Sequence, residues 1–197
     1  MCGRFALTAS APQIKQHFAL VQAAAMLTPR YNIAPSQTVV VVKDSKLDFA
    51  TWGFKVLSYT NYIINIKIET ILEKKWFGSL FKQQRCLIVA SGFFEWKTID
   101  NKKIPFYVQI KQENIIGFAG IFINDSCVIL TTANGLARVP VIIAKNNYNL
   151  WLAKKTPVDL LQDPKLQVLK EDFVIYPVTP QVNNPKFDNV MCIKSLD

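Results

Sequence analysis

The chain has 197 residues, half of them apolar, and its 23 Lys and Arg against 14 Asp and Glu give a formal charge of +9. This length and seven scattered glycines argue against a two-domain chain, a collagen-like repeat and a disordered tail, so we expect one domain over 1–197. The longest apolar run, 115–123, is too short to span a membrane, and the N-terminus lacks a secretory signal pattern, so we expect a cytoplasmic protein.

The cysteine and histidine content excludes several kinds of site. Cys2, Cys86, Cys127 and Cys192 show no CxxC spacing and have no histidine nearby, so we expect free thiols, no metal and no cofactor. His17 is the only histidine, so a His pair or a His-liganded metal cluster is excluded. Its place beside an apolar helical stripe predicts a half-buried helix residue rather than a catalytic one.

The first predicted element is a helix that runs from a capping box at Ser10 and Gln13 to about Met26. Its buried face is predicted to carry four apolar residues, Ile14, Phe18, Val21 and Ala25. After Pro35 the pattern changes to short β-rich runs, predicted at 38–43, 47–52, 62–66, 85–96, 105–110, 116–122, 127–132, 139–144 and 173–178. Helices are predicted between them at 69–81, 147–153 and 158–162. Strands therefore dominate, and we expect an α+β fold built on a curved, largely antiparallel sheet with a few short helices.

The basic charge is concentrated beside aromatic residues. Residues 55–111 contain ten basic and four acidic side chains, and they also carry tyrosine, tryptophan and phenylalanine rings, among them Tyr59, Tyr62, Trp76, Phe77, Phe93, Phe94 and Trp96. This mixture suits single-stranded nucleic acid, in which lysine meets phosphate and a ring meets a base. Surface lysines that only keep the protein soluble explain the charge equally well.

Cys2 is the first candidate for chemistry. Its small side chain favours removal of Met1, which would leave a free α-amine and a thiol on one residue. An α-amine has a pKa of about 7.7 to 8.0, so roughly a tenth of it is unprotonated at neutral pH and can attack a carbonyl. After imine formation with an aldehyde, the neighbouring thiol can close a stable thiazolidine ring.

Glu95 and a polar row at 65–69 are the other candidates. Glu95 lies between Phe94 and Trp96, which predicts either a poorly solvated carboxyl suited to proton transfer or a residue that faces water on an alternating strand. Asn65, Lys67 and Glu69 alternate, so they are predicted to share one strand face, which could meet a phosphate or a sugar or could simply be exposed.

The ordered motifs of the chain resemble the SOS response-associated peptidase (SRAP) family, whose members process abasic sites in DNA. The resemblance extends over nearly the whole chain, and its most specific parts are the opening Cys-Gly-Arg-Phe and Gly-Phe-Phe-Glu-Trp at 92–96. The other matching segments are Arg-Tyr-Asn-Ile-Ala-Pro at 30–35, Trp-Gly at 52–53, Asn-x-Lys-x-Glu-Thr at 65–70, Arg-Cys-Leu-Ile at 85–88, Pro-Phe-Tyr at 105–107, Phe-Ala-Gly at 118–120, Thr-Thr-Ala-Asn at 131–134 and Arg-Val-Pro at 138–140.

The resemblance implies a SRAP domain with a basic groove that binds single-stranded DNA containing abasic sites. Cys2 would form the thiazolidine crosslink, Glu95 would assist ring opening and proton transfer, and Asn65 would lie next to the sugar. We expect a lyase-like crosslinking enzyme with autopeptidase activity, working as a monomer. The predicted DNA contacts are Arg4, Arg30, Asn32, Tyr59, Lys67, Lys75 and Trp96.

The sequence departs from the family pattern at three places. The family histidine that is tied to proton transfer and crosslink reversal has no counterpart between Asn134 and Arg138. The usual arginine between the family Asn and Glu is Lys67, which keeps the charge but loses the bidentate fork. The family tryptophan after Trp-Gly is absent, which leaves Tyr59 as the predicted stacking ring.

Two other functions compete with the abasic-site hypothesis. One is a peptidase or amidase that uses Cys2 as an N-terminal nucleophile. The other is a single-strand binder that keeps the groove without completing the chemistry.

Overall fold

The computed structural model describes residues 2–21, 26–55, 61–134, 137–168 and 170–196. The strands are β1 Phe5–Leu7, β2 Arg30–Ile33, β3 Thr38–Lys43, β4 Lys46–Trp52, β5 Asn65–Lys67, β6 Arg85–Ala90, β7 Gly92–Ile99, β8 Lys102–Ile110, β9 Ile116–Ile123, β10 Ser126–Asn134, β11 Ala137–Pro140, β12 Ile142–Ile143 and β13 Phe173–Pro177. The α-helices are α1 Ala11–His17, α2 Lys75–Gln83, α3 Tyr148–Leu152 and α4 Val158–Leu161. The 3-10 helices are Ile68–Glu73, Lys145–Asn147, Pro164–Leu166, Lys170–Asp172, Pro180–Asn183 and Val190–Ile193.

The strands form two sheets. The first sheet has the order β13-β8-β7-β1-β2, and all its pairs are antiparallel. The second sheet has the order β11-β10-β4-β3-β6-β9-β12 and closes on itself, because β10 pairs with β9 as well as with β4. Its parallel pairs are β10 with β4 and β10 with β5. The predicted α+β class with largely antiparallel sheets and short helices is therefore confirmed.

Aromatic side chains join the two sheets in the main core. Phe5 of the first sheet lies 5.0 Å from Trp52 and 5.6 Å from Phe118 of the second, between ring centroids. The next residue along β1, Ala6, faces the other way and belongs to a smaller core beneath the C-terminal segment, together with Phe94. Both faces of the first sheet are therefore covered around β1 and β7.

The N-terminal helix is shorter than predicted. The side chain of Gln13 accepts a hydrogen bond from the Ser10 N–H at 2.8 Å, which confirms the capping box, but α1 ends at His17. Ala19 has a φ of 51°, which ends the helical path, and Leu20 is buried while Val21 is 83% exposed. Val21 therefore does not belong to the buried face, and Ala25 lies outside the described residues.

The predicted strand at 85–96 is two strands that belong to different sheets. The chain leaves the second sheet at Ala90 and enters the first at Gly92, and the Ser91 N–H donates to the Ala6 carbonyl at 2.7 Å. A Cβ at Gly92 would lie 2.5 Å from the Tyr107 ring, so only glycine fits at this crossing. A continuous apolar run hides this change of sheet, because both segments are buried.

Further predicted elements differ mainly at their ends. The helix predicted at 69–81 is a 3-10 helix followed by α2, and the strand predicted at 139–144 divides into β11 and β12. No helix among the described residues is long and apolar enough to cross a membrane.

Candidate functional site

Three predicted site residues each keep a buried polar atom without a partner. Among the described residues, the buried side-chain nitrogen and oxygen atoms without a hydrogen-bond partner are Arg4 Nε, Asn65 Oδ1 and Glu95 Oε1. Such atoms are rare because leaving them unpaired costs free energy, and they often occur where a ligand binds. All three residues are predicted site residues.

Cys2 lies just before β1 with its side chain fully buried. Its Sγ lies 3.8 Å from the Arg4 carbonyl oxygen. Burial and, after it, the negative charge of Glu95 raise the pKa of the Cys2 thiol to about 12. The thiol is therefore neutral in the folded chain.

Glu95 lies on β7, on the strand face opposite to Phe94 and Trp96. Those two rings belong to the core beneath the C-terminal segment, so Glu95 points toward the Cys2 side of the sheet. It does not face open water, because one carboxylate oxygen is buried and burial raises the pKa of Glu95. Of the two interpretations of the strand pattern, the structure supports the poorly solvated carboxyl.

Asn65 connects the second sheet to Cys2. It begins β5, which pairs in parallel with β10 and places Asn65 opposite Ile129. The Asn65 Nδ2 atom donates to the Cys2 carbonyl oxygen at 2.7 Å, and its Oδ1 atom is left unpaired. A cleft of about 380 Å³ opens beside it, which we call the Asn65 cleft; it is lined by Ile63, Asn65, Ile66, Lys67, Thr70, Lys74, Phe77 and Thr131.

The predicted polar row ends at Lys67. Ile68 and Ile71 are both buried, and this spacing of three residues suits the 3-10 helix that begins there. Glu69 therefore leaves the strand face, and its Oε2 atom accepts a hydrogen bond from Arg138 Nη2 at 2.7 Å. Burial alone would raise the pKa of Glu69, but hydrogen bonds from Arg138 and the Ala133 N–H lower it to about 2. This ion pair ties the β10–β11 hairpin to the 3-10 helix.

The residues Arg4, Arg30 and Asn32 bind the C-terminal segment. The Arg4 guanidinium donates to Asn32 Oδ1 at 2.7 Å and to the Val182 carbonyl at 2.5 Å, and burial lowers its pKa. Arg30 pairs with Asp188 through contacts of 2.5 Å. Asn32 has no exposed surface, so the implied direct contact between Asn32 and DNA is not compatible with this fold.

A sequence profile described as SOS response associated peptidase (SRAP) matches residues 1–185 of the chain. The chain belongs to the SRAP family. Abasic site processing protein YoqW of Bacillus subtilis (strain 168) is 32% identical over 225 residues, which cover 99% of this chain and 100% of that protein. Abasic site processing protein YoaM of the same organism is 32% identical over 216 residues, which cover 94% of each chain.

Solved structures share the SRAP fold of this chain. A Bacteroides thetaiotaomicron protein superimposes with a TM-score of 0.84 over the whole of both chains at 18% identity. A phage-related protein from Bordetella bronchiseptica gives a TM-score of 0.77 at 24% identity and covers 90% of this chain and 94% of its own. At these identities the likeness concerns the fold alone.

The SRAP fold does not bring every predicted DNA contact to Cys2. Lys67 lines the Asn65 cleft, whereas Lys75 lines a different one. Trp96 lies on the face of β7 opposite to Glu95, and its ring N–H donates to Asn183 Oδ1 at 2.8 Å. Tyr59 lies outside the described residues.

Three residues near the Asn65 cleft were not predicted from the sequence as site residues: Lys74, Trp76 and Thr131. Lys74 and Thr131 line the Asn65 cleft, and the Trp76 side chain lies beside it with 48% of its surface exposed. Lys74 and Trp76 both belong to the basic and aromatic segment 55–111, so its composition already indicated a nucleic-acid contact there without singling out these two residues. Thr131 is buried opposite Lys67 in the strand pairing, which the chain order does not reveal.

His17 lies in a separate cleft. It is half-buried, as predicted, and its Nε2 atom lies 3.2 Å from the Tyr148 hydroxyl. The cleft has a volume of about 620 Å³, and its lining does not include Cys2, Asn65 or Glu95. All four cysteines are free thiols, and no group of three metal-binding side chains occurs in the part of the chain that the structure describes.

Proposed function

We propose that this protein processes abasic sites in single-stranded DNA by forming a covalent thiazolidine crosslink through Cys2 after Met1 is removed. One observation carries the proposal: Asn65 is hydrogen-bonded to the Cys2 carbonyl, the charge of Glu95 raises the pKa of the Cys2 thiol, and Asn65 and Glu95 each keep a buried oxygen without a partner. The names of the relatives YoqW and YoaM support the abasic-site substrate.

The covalent chemistry uses both groups of Cys2. The open form of an abasic sugar is an aldehyde, and the α-amine adds to its carbon; loss of water then gives an imine. The sulfur bonds to the same carbon while the C=N electron pair moves to nitrogen. The thiol loses one proton and the nitrogen gains one, so ring closure needs no oxidant and no cofactor.

Glu95 is the proposed proton carrier for these steps. Because the thiol and the carboxyl lie close together in a poorly solvated place, the pair does not readily hold two negative charges. The protonated carboxyl, favoured by its raised pKa, can donate first to the ring oxygen of the sugar or to the oxygen that leaves as water. The carboxylate that results can then accept the thiol proton as the sulfur attacks the imine.

Asn65, Lys67 and Arg4 are proposed to position the reactants. The Asn65 amide holds the Cys2 carbonyl, and its unpaired Oδ1 atom can accept a hydrogen bond from a sugar hydroxyl. Lys67 at the same cleft can pair with a phosphate. Asn32 is assigned an indirect role, because it fixes the Arg4 guanidinium from beneath.

The peptidase alternative is supported less well. A thiol nucleophile needs a thiolate and usually a histidine base. The pKa of Cys2 is about 12, and His17 is hydrogen-bonded to Tyr148 in another cleft. Condensation with an aldehyde begins instead at the amine and is compatible with a neutral thiol.

Incubation with an abasic single-stranded oligonucleotide, followed by denaturing electrophoresis, tests the proposal. Mass spectrometry first establishes that Met1 is absent. We expect a heat-stable adduct from the wild type and from Cys127→Ala, which removes another buried thiol. Cys2→Ala should give none, and Cys2→Ser should give at most an imine that requires borohydride trapping. Equal heat-stable adduct from the wild type and Cys2→Ala would overturn the proposal, and DNA binding without an adduct would favour a simple single-strand binder.

A further inference from the structure

Trp76 is the exposed tryptophan of this fold. Trp52 and Trp151 are fully buried, and the Trp96 ring is fixed by its hydrogen bond to Asn183. Trp76, on the first turn of α2, keeps 48% of its surface exposed. A large exposed aromatic ring offers a flat apolar face on which another ring can stack.

Two neighbouring rings hold Trp76 in place. Its ring centroid lies 5.2 Å from that of Phe54 and 4.7 Å from that of Phe77. Phe77 is buried, and Phe54 is joined to Ile63 by two backbone hydrogen bonds of 2.9 and 2.8 Å. The exposed ring is therefore supported by the fold, and ordering it on binding costs little entropy.

The Trp76 ring lies at the edge of the candidate site. Phe77 and Ile63, which support it directly or through Phe54, both line the Asn65 cleft. Asn65 in the same cleft is hydrogen-bonded to Cys2. The exposed ring thus packs against residues that line, or adjoin the lining of, the cleft that contains the hydrogen-bond partner of Cys2.

The charge of this edge is positive. Lys67, Lys74 and Lys75 are all exposed, and none of them forms an ion pair with another described residue. Of the nearby acidic groups, Glu69 is neutralised by Arg138, and Glu73 is exposed. A flat ring flanked by lysines fits an unpaired base between two phosphates, whereas the bases of a duplex are already stacked on both faces.

We propose that Trp76 is a stacking platform for an unpaired base next to the abasic position, with Lys74 and Lys67 binding the adjacent phosphates. This inference rests on the function proposed above, and it assigns the stacking role to α2 rather than to the segment around Tyr59. It predicts that Trp76 contributes to the binding of undamaged single strands before any covalent step.

Titration with an undamaged oligo(dT) tests the platform without crosslinking. We expect the strand to quench the tryptophan fluorescence of the wild type, and Trp76→Phe to lose most of that quenching while binding within about threefold of the wild type. Trp76→Ala should bind about tenfold more weakly, as expected for the loss of one ring–base stack. Ile99→Ala, which trims an exposed apolar residue 43% accessible on β7, is the matched control and should bind as the wild type does.

Thermal melting establishes that each variant is folded, which we expect because the Trp76 side chain is half-exposed. The inference would be overturned if folded Trp76→Ala bound DNA with wild-type affinity and Trp76→Phe kept the wild-type quenching. Adduct formation is a separate readout. If the wild type forms the adduct and Trp76→Ala binds DNA normally, only the stacking role of Trp76 is refuted. If the wild type binds DNA through Trp76 but forms no adduct, only the proposed covalent chemistry is refuted.

Discussion

The side-chain amide of Asn65 donates a 2.7 Å hydrogen bond to the carbonyl oxygen of Cys2, 63 positions away in the chain. This bond holds the N-terminal residue against the second sheet and leaves Asn65 Oδ1 buried and unpaired. Glu95, on a strand of the first sheet, is near enough for its charge to raise the pKa of the Cys2 thiol. One residue from each sheet therefore acts on Cys2, Asn65 through a hydrogen bond and Glu95 through its charge.

Replacing Glu95 by glutamine should slow adduct formation by about 100-fold or more, because the amide cannot carry a proton. Glu95→Asp should retain part of the rate, and Glu171→Gln, an exposed carboxylate, should change nothing. Single-turnover rates of adduct formation over a range of pH provide the measurement. A Glu95→Gln variant with the wild-type rate would show that proton transfer takes another route.

Asn32→Ala should destabilise the fold by about 1 to 3 kcal/mol, which lowers the melting temperature by several degrees. The Asn32 Nδ2 atom lies 3.2, 3.0 and 2.7 Å from the carbonyl oxygens of Val182, Asn184 and Phe187, and its loss leaves buried acceptors unpaired. Thermal unfolding followed by circular dichroism measures the change. Reduced DNA binding at an unchanged melting temperature would instead indicate direct contact with the strand.

Lys67→Ala should weaken the binding of undamaged single strands and reduce its salt dependence. Each phosphate contact contributes a slope of roughly 0.7 in log affinity against log salt, so the slope should fall by about that amount. Lys102→Ala, on the distant β7–β8 hairpin, should leave the slope unchanged. A salt-independent wild-type affinity would indicate that the lysines serve solubility only.

The missing family histidine should affect release more than formation of the adduct. In the proposed mechanism the amine and Glu95 supply what condensation needs, whereas ring reopening would lack the histidine that the family resemblance implies for part of that work. We expect adduct transfer to excess abasic competitor DNA to be slower than in a relative that keeps the histidine. His17→Ala should change neither rate, and fast release abolished by His17→Ala would show that this histidine has been recruited.

His17 should make the fold less stable in mild acid. Burial, followed by the charge of Lys145, lowers the pKa of His17 from 6.5 to about 4, so the unfolded chain binds a proton more readily than the folded one. The stability contribution is complete above pH 6.5 and is lost as the pH falls toward 4. Because His17 is half-exposed, the loss should be about 1 kcal/mol. Urea unfolding of the wild type and of His17→Gln at pH 7 and 4.5 measures the loss of stability between the two pH values, which should be about 1 kcal/mol smaller in the variant.

The sequence by itself determined the class of the fold and was enough to propose the reactive groups. Apolar patterns predict most of the strands. A strand buried on one face alternates apolar and polar residues, and a strand buried on both faces is a continuous apolar run. The chemistry of Cys2 follows from its position next to Met1, since only an N-terminal cysteine combines an α-amine with a thiol. The motif order was enough for the SRAP resemblance, which the family profile confirms.

Only the tertiary structure decided what surrounds those groups. An alternating strand leaves open whether Glu95 meets water. In the structure one of its carboxylate oxygens is buried, and Phe93 on the same face of β7 packs against Phe118 of the second sheet. Asn32 carries a polar side chain typical of a surface, yet the C-terminal segment buries it completely. The strand predicted at 85–96 changes sheets at Ser91, and the polar row after Asn65 turns into a 3-10 helix. In each case the deciding contact comes from a segment far along the chain, and local periodicity carries no information about such contacts.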